Sequence, residues 1–245
     1  MKDNFSKQAD LYAQYRPEYP SALYNFIMSN VQKFDKAWDC ATGNGQVAKE
    51  LSKHFDKVEA TDISQKQLDN AQNAPNINYS ISKAEKTEFS ENSFDLITVG
   101  QAIHWFDFNS FFKEAKRILK PTGVLAVWGY SNMLVKPDID NINLDFYQNI
   151  TGPYWDPERK HIDNRYANID FPFSSIIENT FYIEKRWDLK SIEGFFNTWS
   201  SVQHFIAQED YNPVPAHIIN LKKHWNEGEF KTVRFPVFLK VMFDE

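Results

Sequence analysis

The sequence predicts an α/β fold built around a doubly wound, mostly parallel sheet of seven strands. Three observations support this prediction. Short apolar segments alternate with segments of helical periodicity through the first half of the chain, as in parallel strands joined by helical crossovers. The apolar residues of 233–243 instead alternate one by one, which is typical of a strand. A chain of 245 residues with 42% hydrophobic side chains can fill one or two domain cores.

The first half of the chain supplies five predicted strands and the helices between them. A helix over 20–33 is expected to precede the first strand. Ser64, followed three residues later by Gln67, fits the start of a helix after the second strand, and Asp107 can cap the helix before the fifth. That helix should end at 120–123 (KPTG), because proline and glycine interrupt helical structure. The strands are predicted at 37–40, 58–61, 77–82, 94–99 and 124–128.

The second half adds two predicted strands, at 180–187 and 232–243, which are expected to complete the sheet as an antiparallel pair. Pro236 has no amide hydrogen, so the last strand is expected to lie at an edge or to bulge there. Apolar residues at helical spacing also occur between the fifth strand and this pair. They predict helices at 138–150, 191–201 and 214–225.

The composition excludes several classes of protein. The net charge of −6 disfavours nucleic acid as a partner, because phosphate contacts need a basic surface. A single cysteine, Cys40, excludes an internal disulfide. The first 20 residues lack the apolar core of a signal peptide, and no run of about 18 apolar residues predicts a membrane span. We therefore expect a cytoplasmic protein, a monomer or a homodimer, with no nucleic-acid or membrane partner.

The turn after the first predicted strand, residues 39–46 (DCATGNGQ), is the most informative segment. Gly43 and Gly45 allow the backbone to approach a ligand closely, and the amides that open the following helix can hold an anionic group. Asp62 follows the second strand, 19 residues after Gly43. A carboxylate at this spacing can accept hydrogen bonds from both hydroxyls of a bound ribose. Its alternative role is a helix cap, but Ser64 already suits that position.

The third and fourth strands also end in polar or aromatic residues. Ala84 and Glu85 follow the third strand, where Glu85 either meets the edge of a purine base or is an exposed loop acid. The fourth strand ends in 100–107 (GQAIHWFD), which places His104 and Trp105 where ligands enter sheets of this type. His104 is therefore a candidate base or substrate contact, with a structural histidine as the alternative.

Taken in order, these residues resemble the motifs of class I S-adenosylmethionine-dependent methyltransferases of type 11, whose fold is Rossmann-like. The resemblance is to the small-molecule branch that includes trans-aconitate methyltransferases, and it covers nearly the whole chain. The general motifs are Asp39-x-x-x-Gly43-x-Gly45, Asp62, Ala84-Glu85, 94–97 (FDLI) and 119–123 (LKPTG). The branch motifs are 12–20 (YAQYRPEYP), 101–107 (QAIHWFD), 171–173 (FPF) and 198–200 (TWS).

The resemblance implies S-adenosylmethionine as the cofactor, with no metal. Asp62 would bind the ribose, and Gln101 would lie near the methionine or sulfonium end. Ala41 stands where such families usually carry glycine, and a methyl group is tolerated there if φ is negative. The methionine part would be surrounded by Asp39, Ala41, Thr42, Gly43 and Gly45, and the adenine by Ile63, Ala84 and Glu85. Tyr12, Tyr15 and Arg16 would close over the site, Tyr12 and Arg16 as cofactor contacts and Tyr15 as a substrate contact.

The division of labour follows from this resemblance. Residues 1–130 are expected to form N-terminal cap helices and the cofactor-binding core, and 131–245 a helical, aromatic-rich substrate cap with the last two strands, within one structural domain. Methyl transfer is an in-line displacement from a sulfonium, so the protein mainly positions the substrate and excludes water. The predicted substrate is a small molecule, and its expected contacts are Tyr15, Trp105, Arg159 and Arg165.

The sequence leaves the methyl acceptor open. A carboxylate is already ionised near neutral pH, so it would need only an anchor, and Arg16, Arg159 or Arg165 could supply paired hydrogen bonds. A hydroxyl would gain from a general base, for which His104 is the candidate. The acidic option follows from the trans-aconitate resemblance alone.

Three other functions compete with this one. Gly43-x-Gly45-x-x-Ala48 with Asp62 also fits a nicotinamide-dependent oxidoreductase, although Asp39 before the turn favours the methyltransferase pattern. A cofactor-binding sensor without activity is the second. A methyltransferase for macromolecules is the third, and the acidic net charge disfavours RNA or DNA as its substrate.

Overall fold

The computed structural model describes residues 18–244. Its strands are β1 (Lys36–Cys40), β2 (Lys57–Asp62), β3 (Ile77–Ile81), β4 (Phe94–Gly100), β5 (Leu119–Tyr130), β6 (Ser175–Trp187) and β7 (Lys231–Phe243). They form one seven-stranded sheet in the order β3-β2-β1-β4-β5-β7-β6. β1 to β5 are parallel, and β7 is antiparallel to both of its neighbours. The predicted seven-stranded, mostly parallel sheet with an antiparallel last pair is confirmed.

Helices join and cover these strands. Their bounds are α1 (Ser21–Met28), α2 (Gln46–Leu51), α3 (Gln65–Asp69), α4 (Phe108–Ile118), α5 (Pro137–Asp145), α6 (Arg159–Asp163), α7 (Leu189–Asn197), α8 (Ser200–Glu209) and α9 (Val214–Leu221). The π-helical turn Phe146–Ile150 continues α5. Both predicted caps are present, since Ser64 Oγ accepts from the Gln67 amide and Asp107 Oδ1 from the Ser110 amide. In the part of the chain that the structure describes, no helix combines the length and the apolar character needed to cross a bilayer.

Two apolar cores lie on opposite faces of the sheet. One contains the buried residues of α1, α2, α7 and α9, and the other those of α4. In α4 the buried positions Phe111, Phe112, Ala115 and Ile118 follow helical spacing, so one stripe of this helix faces the sheet. Because both faces are covered, the central strands read as nearly continuous apolar segments. In β4, for example, every residue from Phe94 to Val99 is buried.

β7 shows why the alternating segment at 233–243 is compatible with an interior strand. Val233, Phe235 and Val237 are buried in one core and Phe238 in the other. The expectation of an edge or bulge at Pro236 is wrong, because β7 lies between β5 and β6 in continuous register. The Pro236 carbonyl accepts from the Ser131 amide at 2.9 Å. The Pro236 nitrogen faces β5, as its carbonyl does. The last β5–β7 pair is Tyr130 with Val237, so the missing amide hydrogen removes no hydrogen bond between these two strands.

Several predicted boundaries in the second half need correction. The helix predicted over 191–201 ends at Asn197, where the Thr198 hydroxyl bonds to the Phe195 carbonyl. Trp199 then has extended backbone angles, and α8 begins at Ser200. β6 begins at Ser175 rather than at residue 180, because it pairs with β7 along its whole length. Its exposed polar residues hid this extension from apolar periodicity, which also missed α6 and α8.

The amino ends of the central strands are tied together on the side away from the carboxyl ends. Asp95 Oδ2 accepts from the amides of Asp35 and Lys36, which precede and open β1. Lys120, at the start of β5, places its Nζ 2.8 Å from both Asp95 Oδ1 and Asp35 Oδ2. Asp95 is 3% exposed, so this buried carboxylate fixes β1, β4 and β5 at one edge. The opposite edge, where parallel strands end, is free to carry loops of varied chemistry.

Candidate active-site cleft

A cleft lies at the carboxyl edge of the sheet, between the loops that follow the strands and the helices of 131–230. The lining residues from the sheet side are Asp39, Ala41, Thr42, Gly43, Asn44, Gln46, Val47, Asp62, Ile63, Ser64, Gln67, Gly100, Gln101, Ala102, His104, Trp105, Tyr130, Ser131 and Asn132. Those from elsewhere are Tyr19, Trp155, Asp156, Arg159, Phe195, Trp199 and Ser200. One cleft thus collects residues that follow four strands together with residues of the helical segment.

The turn after β1 is built from residues in left-handed conformations. Gly43 has φ of 56° and Gly45 of 76°, which glycine adopts without steric cost. A Cβ on Gly45 would lie 2.2 Å from the Tyr79 hydroxyl oxygen, so glycine is also required there by space. Ala41 has φ of 56°, so the condition under which alanine is tolerated here, a negative φ, is not met. This left-handed conformation is unfavourable for alanine, because it brings the Cβ too close to the following carbonyl oxygen.

Asp39 holds this turn against the rest of the sheet. Its Oδ2 accepts from the Thr42 hydroxyl at 2.5 Å and from the Ala48 amide at 3.1 Å, and its Oδ1 accepts from the Thr98 hydroxyl at 2.8 Å. Burial raises its pKa to about 6, against the lowering effect of these hydrogen bonds. The nearby Asp62 charge acts in the same direction as burial. The carboxyl group therefore connects the turn, α2 and β4 by hydrogen bonds, and its charged form is destabilised by burial.

Asp62 ends β2 with its carboxylate held by two backbone amides. Oδ2 accepts from Gly43 at 2.9 Å and Oδ1 from Ser64 at 2.9 Å. A carboxylate oxygen has two lone pairs and can accept more than one hydrogen bond. The side chain lines the cleft between the turn after β1 and the start of α3. This geometry fits a pair of adjacent hydroxyls, as the sequence predicts for a ribose.

Gln101 connects the ends of β4 and β5. Its backbone amide donates to the Trp128 carbonyl at 2.8 Å, and its side-chain Oε1 accepts from the Tyr130 backbone amide at 2.7 Å. A Cβ on Gly129 would lie 2.9 Å from this Oε1, so glycine is needed for the side chain to reach. Gln101 has φ of 54°, and this left-handed residue directs the chain towards the short helical turn of His104.

His104 and Trp105 line the cleft next to one another, with ring centroids 4.9 Å apart. His104 is 7% exposed, and its Nδ1 lies 3.3 Å from the hydroxyl of Tyr166. The structure thus brings the candidate base to the predicted place. It also gives one ring nitrogen a buried partner that the sequence did not indicate.

Arg159 brings a positive charge to the cleft from the start of α6. Its Nε donates to the Tyr147 hydroxyl at 2.8 Å, and its Nη2 to Asn132 Oδ1 at 3.3 Å. The guanidinium lies 4.5 Å from the ring centroid of Trp155, in a cation–π contact. Within residues 18–244 it is the one Lys or Arg that lines the cleft. Its charge is partly balanced by Asp163, whose Oδ1 is 3.5 Å from Nε.

Some predicted residues lie elsewhere. Ala84 is buried in the core, and Glu85 accepts from the Asp107 amide at 3.2 Å; neither is among the residues that line the cleft, so the adenine contacts stay a prediction. Arg165 is exposed and outside the lining, because positive φ at 165 and 166 turns Tyr166 inward instead. Tyr12, Tyr15 and Arg16 lie outside the described residues.

Sequence reasoning missed several lining residues, above all Asn132, which contacts Arg159. Ser131 and Asn132 directly follow β5, so the rule that ligands bind beyond the carboxyl ends of strands could have found them. Asp156 carried no comparable signal, because it lies in an irregular segment of the second half. In the part of the chain that the structure describes, no three His, Cys, Asp or Glu side chains are grouped as metal ligands.

The topology and the turn define a class of protein. Dinucleotide-binding dehydrogenases of the doubly wound type have the strand order 3-2-1-4-5-6, whereas here β7 is inserted antiparallel between β5 and β6. Together with the left-handed turn after β1, this order is that of a class I methyltransferase.

Comparison with known proteins agrees with this class. The family model described as a methyltransferase domain matches residues 38–127. A protein of Dictyostelium discoideum, provisionally named a methyltransferase, is 34% identical over 97% of this chain and 93% of its own length. The structure of a provisionally assigned type II methyltransferase from Anaeromyxobacter dehalogenans superposes with a TM-score of 0.87 at 28% identity, covering 94% of this chain and all of that one. The chain belongs to the class I S-adenosylmethionine-dependent methyltransferase family.

A more distant neighbour shares the fold alone. It is the phosphoethanolamine N-methyltransferase 2 of Haemonchus contortus in complex with S-adenosyl-L-methionine, with a TM-score of 0.53 and 16% identity. The superposition covers 98% of this chain and 57% of that one. The narrower resemblance to trans-aconitate methyltransferases stays a prediction.

Ala41 and Gly43 offer a matched test of the strain in the turn, since both have φ of 56°. Left-handed alanine costs about 1–2 kcal/mol, and glycine loses about 0.4–1 kcal/mol through its more flexible unfolded chain. We expect Ala41→Gly to raise the free energy of unfolding by about 0.5–1 kcal/mol. Gly43→Ala should lower it by a similar amount, because the new Cβ would meet nothing closer than 3.9 Å and only the left-handed backbone disfavours it. Urea unfolding of both variants checks this, and equal signs would contradict it.

The raised pKa of Asp39 predicts a pH dependence of stability. The folded protein binds a proton at Asp39 more tightly than the unfolded chain does, so the free energy of unfolding should fall as pH rises from about 4 to about 6. The loss attributable to this group is up to about 3 kcal/mol. In Asp39→Asn the neutral amide keeps the shape of the carboxyl group, and this part of the dependence should vanish. Urea unfolding across this range measures the difference between the two proteins; parallel curves would show that Asp39 does not titrate as described.

Proposed function

We propose that this protein transfers the methyl group of S-adenosylmethionine to a small molecule that carries an anionic group, a carboxylic acid being the candidate. The observation that carries this proposal is the presence of Asp62 and Arg159 in one cleft. Asp62 follows a strand of the sheet and suits the two hydroxyls of a ribose. Arg159 opens a helix of the second half and suits an anion. The two side chains thus fit two different ligands.

The residues present fit the cofactor. Asp62, whose carboxylate lines the cleft, would accept from the ribose hydroxyls. The turn from Ala41 to Gly45 brings its backbone close to the cleft. Its two glycines have no side chain, and Ala41 adds only a methyl group. S-adenosylmethionine, when bound, supplies a methyl group on a positively charged sulfonium. The rings of Tyr19, Trp105 and Tyr130, which line the cleft, could stabilise that charge through cation–π contacts.

The protein's own part in the reaction is mainly positioning. An in-line displacement requires the acceptor atom to be held against the methyl carbon, and such orientation can contribute several kcal/mol to lowering the barrier. The helices of 131–230 place Trp155, Phe195 and Trp199 against the cleft. We expect these rings to exclude water from the reacting atoms and to favour a small molecule over a macromolecule as the acceptor.

Arg159 supports an anionic acceptor. Nε and Nη2 are engaged by Tyr147 and Asn132, which fixes the plane of the guanidinium. Its Nη1 has no hydrogen-bond partner among residues 18–244. A carboxylate bound there needs no deprotonation at neutral pH, so the proposal does not require a general base.

We expect Asp62→Ala to weaken the binding of S-adenosylhomocysteine, the demethylated cofactor, by more than tenfold, because two charge-assisted hydrogen bonds are lost. Titration calorimetry measures the dissociation constant. Asp69→Ala removes a neighbouring exposed carboxylate outside the cleft and should leave it unchanged. An unchanged constant in Asp62→Ala, or binding of NAD(H) in place of the demethylated cofactor, would refute the assignment.

The substrate class is tested by transfer of labelled methyl groups to a panel of small carboxylic acids and uncharged hydroxyl compounds. We expect turnover of an acid. Arg159→Gln should raise its KM at least tenfold, because a charge-assisted hydrogen bond contributes about 1.5–3 kcal/mol, while cofactor affinity stays the same. Arg165→Gln, an exposed arginine outside the cleft, should behave as the unmodified protein. Preferred turnover of uncharged compounds, unaffected by Arg159→Gln, would exclude the anionic substrate.

A further inference from the structure

We propose that the Tyr166 hydroxyl donates a hydrogen bond to Nδ1 of His104 and so holds the neutral imidazole with its hydrogen on Nε2. His104 then acts in the cleft as a hydrogen-bond donor and not as a general base. Tyr166 is a positioning residue in this arrangement. The catalytic meaning of the donor rests on the proposed function, whereas the position of the hydrogen does not.

The contact itself sets the direction of the hydrogen bond. Tyr166 is fully buried, and among the described residues His104 Nδ1, 3.3 Å away, is the polar partner of its hydroxyl. A buried hydroxyl hydrogen without an acceptor is destabilising, because it has lost its hydrogen bond to water. If Nδ1 carried the hydrogen, the Tyr166 hydroxyl would have to accept and its own hydrogen would lack an acceptor. If Nδ1 is bare, donor and acceptor are matched.

The environment of Tyr166 keeps it a donor. Burial raises its pKa, against a small opposing effect of Arg159, so the phenol stays protonated. Its ring packs edge-on against Phe238, with centroids 5.0 Å apart, and lies nearly parallel to the His104 ring. This packing fixes the ring and so keeps the hydroxyl oxygen beside Nδ1 of His104.

The backbone is strained where it delivers this side chain. Arg165 and Tyr166 have φ of 50° and 59°, a left-handed conformation that is disfavoured for residues other than glycine. The Tyr166 amide donates to the His161 carbonyl at 2.8 Å, which holds the turn. Strained conformations of this kind persist where the surrounding structure fixes them, often at functional sites. Here the strain turns Tyr166 inward to the ring that lines the cleft.

The geometry of the imidazole then determines whether His104 presents a hydrogen-bond donor or an acceptor in the cleft. The two nitrogens point to different sides of the ring, so with Nδ1 towards Tyr166 the Nε2 side faces away from it. A neutral ring with hydrogen on Nε2 offers a donor there and has no free lone pair with which to accept a proton. A donor suits an oxygen of an already ionised acceptor. This agrees with a carboxylate substrate and disagrees with a hydroxyl that must be deprotonated.

Two-bond nitrogen–proton correlation spectra of uniformly ¹⁵N-labelled protein test the proposal, because they distinguish the two neutral forms of histidine. They are recorded at a pH above the imidazole titration, and the His104→Gln variant identifies the His104 signals. We expect the pattern with hydrogen on Nε2 in the unmodified protein. Tyr166→Phe should lose this pattern in favour of a mixture or of hydrogen on Nδ1. Tyr154→Phe, whose hydroxyl bonds to Glu209 instead, should leave it unchanged.

Hydrogen on Nδ1 in the unmodified protein would overturn the proposal, and so would an unchanged pattern in Tyr166→Phe. The first of these measurements needs no variant and remains decisive if Tyr166→Phe does not fold. Calorimetry with S-adenosylhomocysteine is run on the same samples. Binding with the wrong tautomer refutes the role of Tyr166 alone, while the expected tautomer without binding refutes the proposed function alone.

Discussion

The buried carboxyl group of Asp39 is the interaction on which the geometry of the cleft depends. It stands at the end of β1 and joins the turn, the first residues of α2 and the neighbouring strand β4 through three hydrogen bonds. Through the Thr98 hydroxyl it ties the left-handed turn to β4, and the same turn presents the Gly43 amide to Asp62. The raised pKa shows that burial is only partly offset by these bonds. The buried carboxyl group of Asp39 thus lowers stability, while it holds the turn after β1 in the conformation that a ligand site requires.

The core of the fold could be predicted because its signals are local. Strand–helix alternation gave β1 to β5, and the capping residues Ser64 and Asp107 marked two helix starts correctly. The turn residues Gly43 and Gly45 and the acid Asp62 could also be placed, since parallel strands bring their carboxyl ends to one edge. The sign of φ at Ala41 could not, because the conformation depends on the strand and helix that the turn must join.

Long-range packing decided what the sequence did not predict. Trp199 reaches the cleft because α7 stops at Asn197 and the chain is extended for one residue, a break hidden within continuous apolar periodicity. The sequence predicts Arg159 and Arg165 equally as anchors for a carboxylate. The left-handed backbone at 165 and 166 instead leaves Arg165 exposed and buries Tyr166. Pro236 was assigned to an edge because only its missing donor was considered. Its place beside the end of β5 depends on the register of three strands.

The position of β7 has a consequence for how the chain folds during synthesis. β1 to β5 require only residues 36–130, which leave the ribosome first, and their parallel pairing can begin at once. β6 has no partner until residues 231–243 emerge, since it pairs with β7 alone. Until then β5 presents an open apolar edge, and contacts of long sequence separation form slowly. We therefore expect the nascent protein to pass through a five-stranded stage, in which the exposed edge of β5 is open to aggregation or chaperone binding.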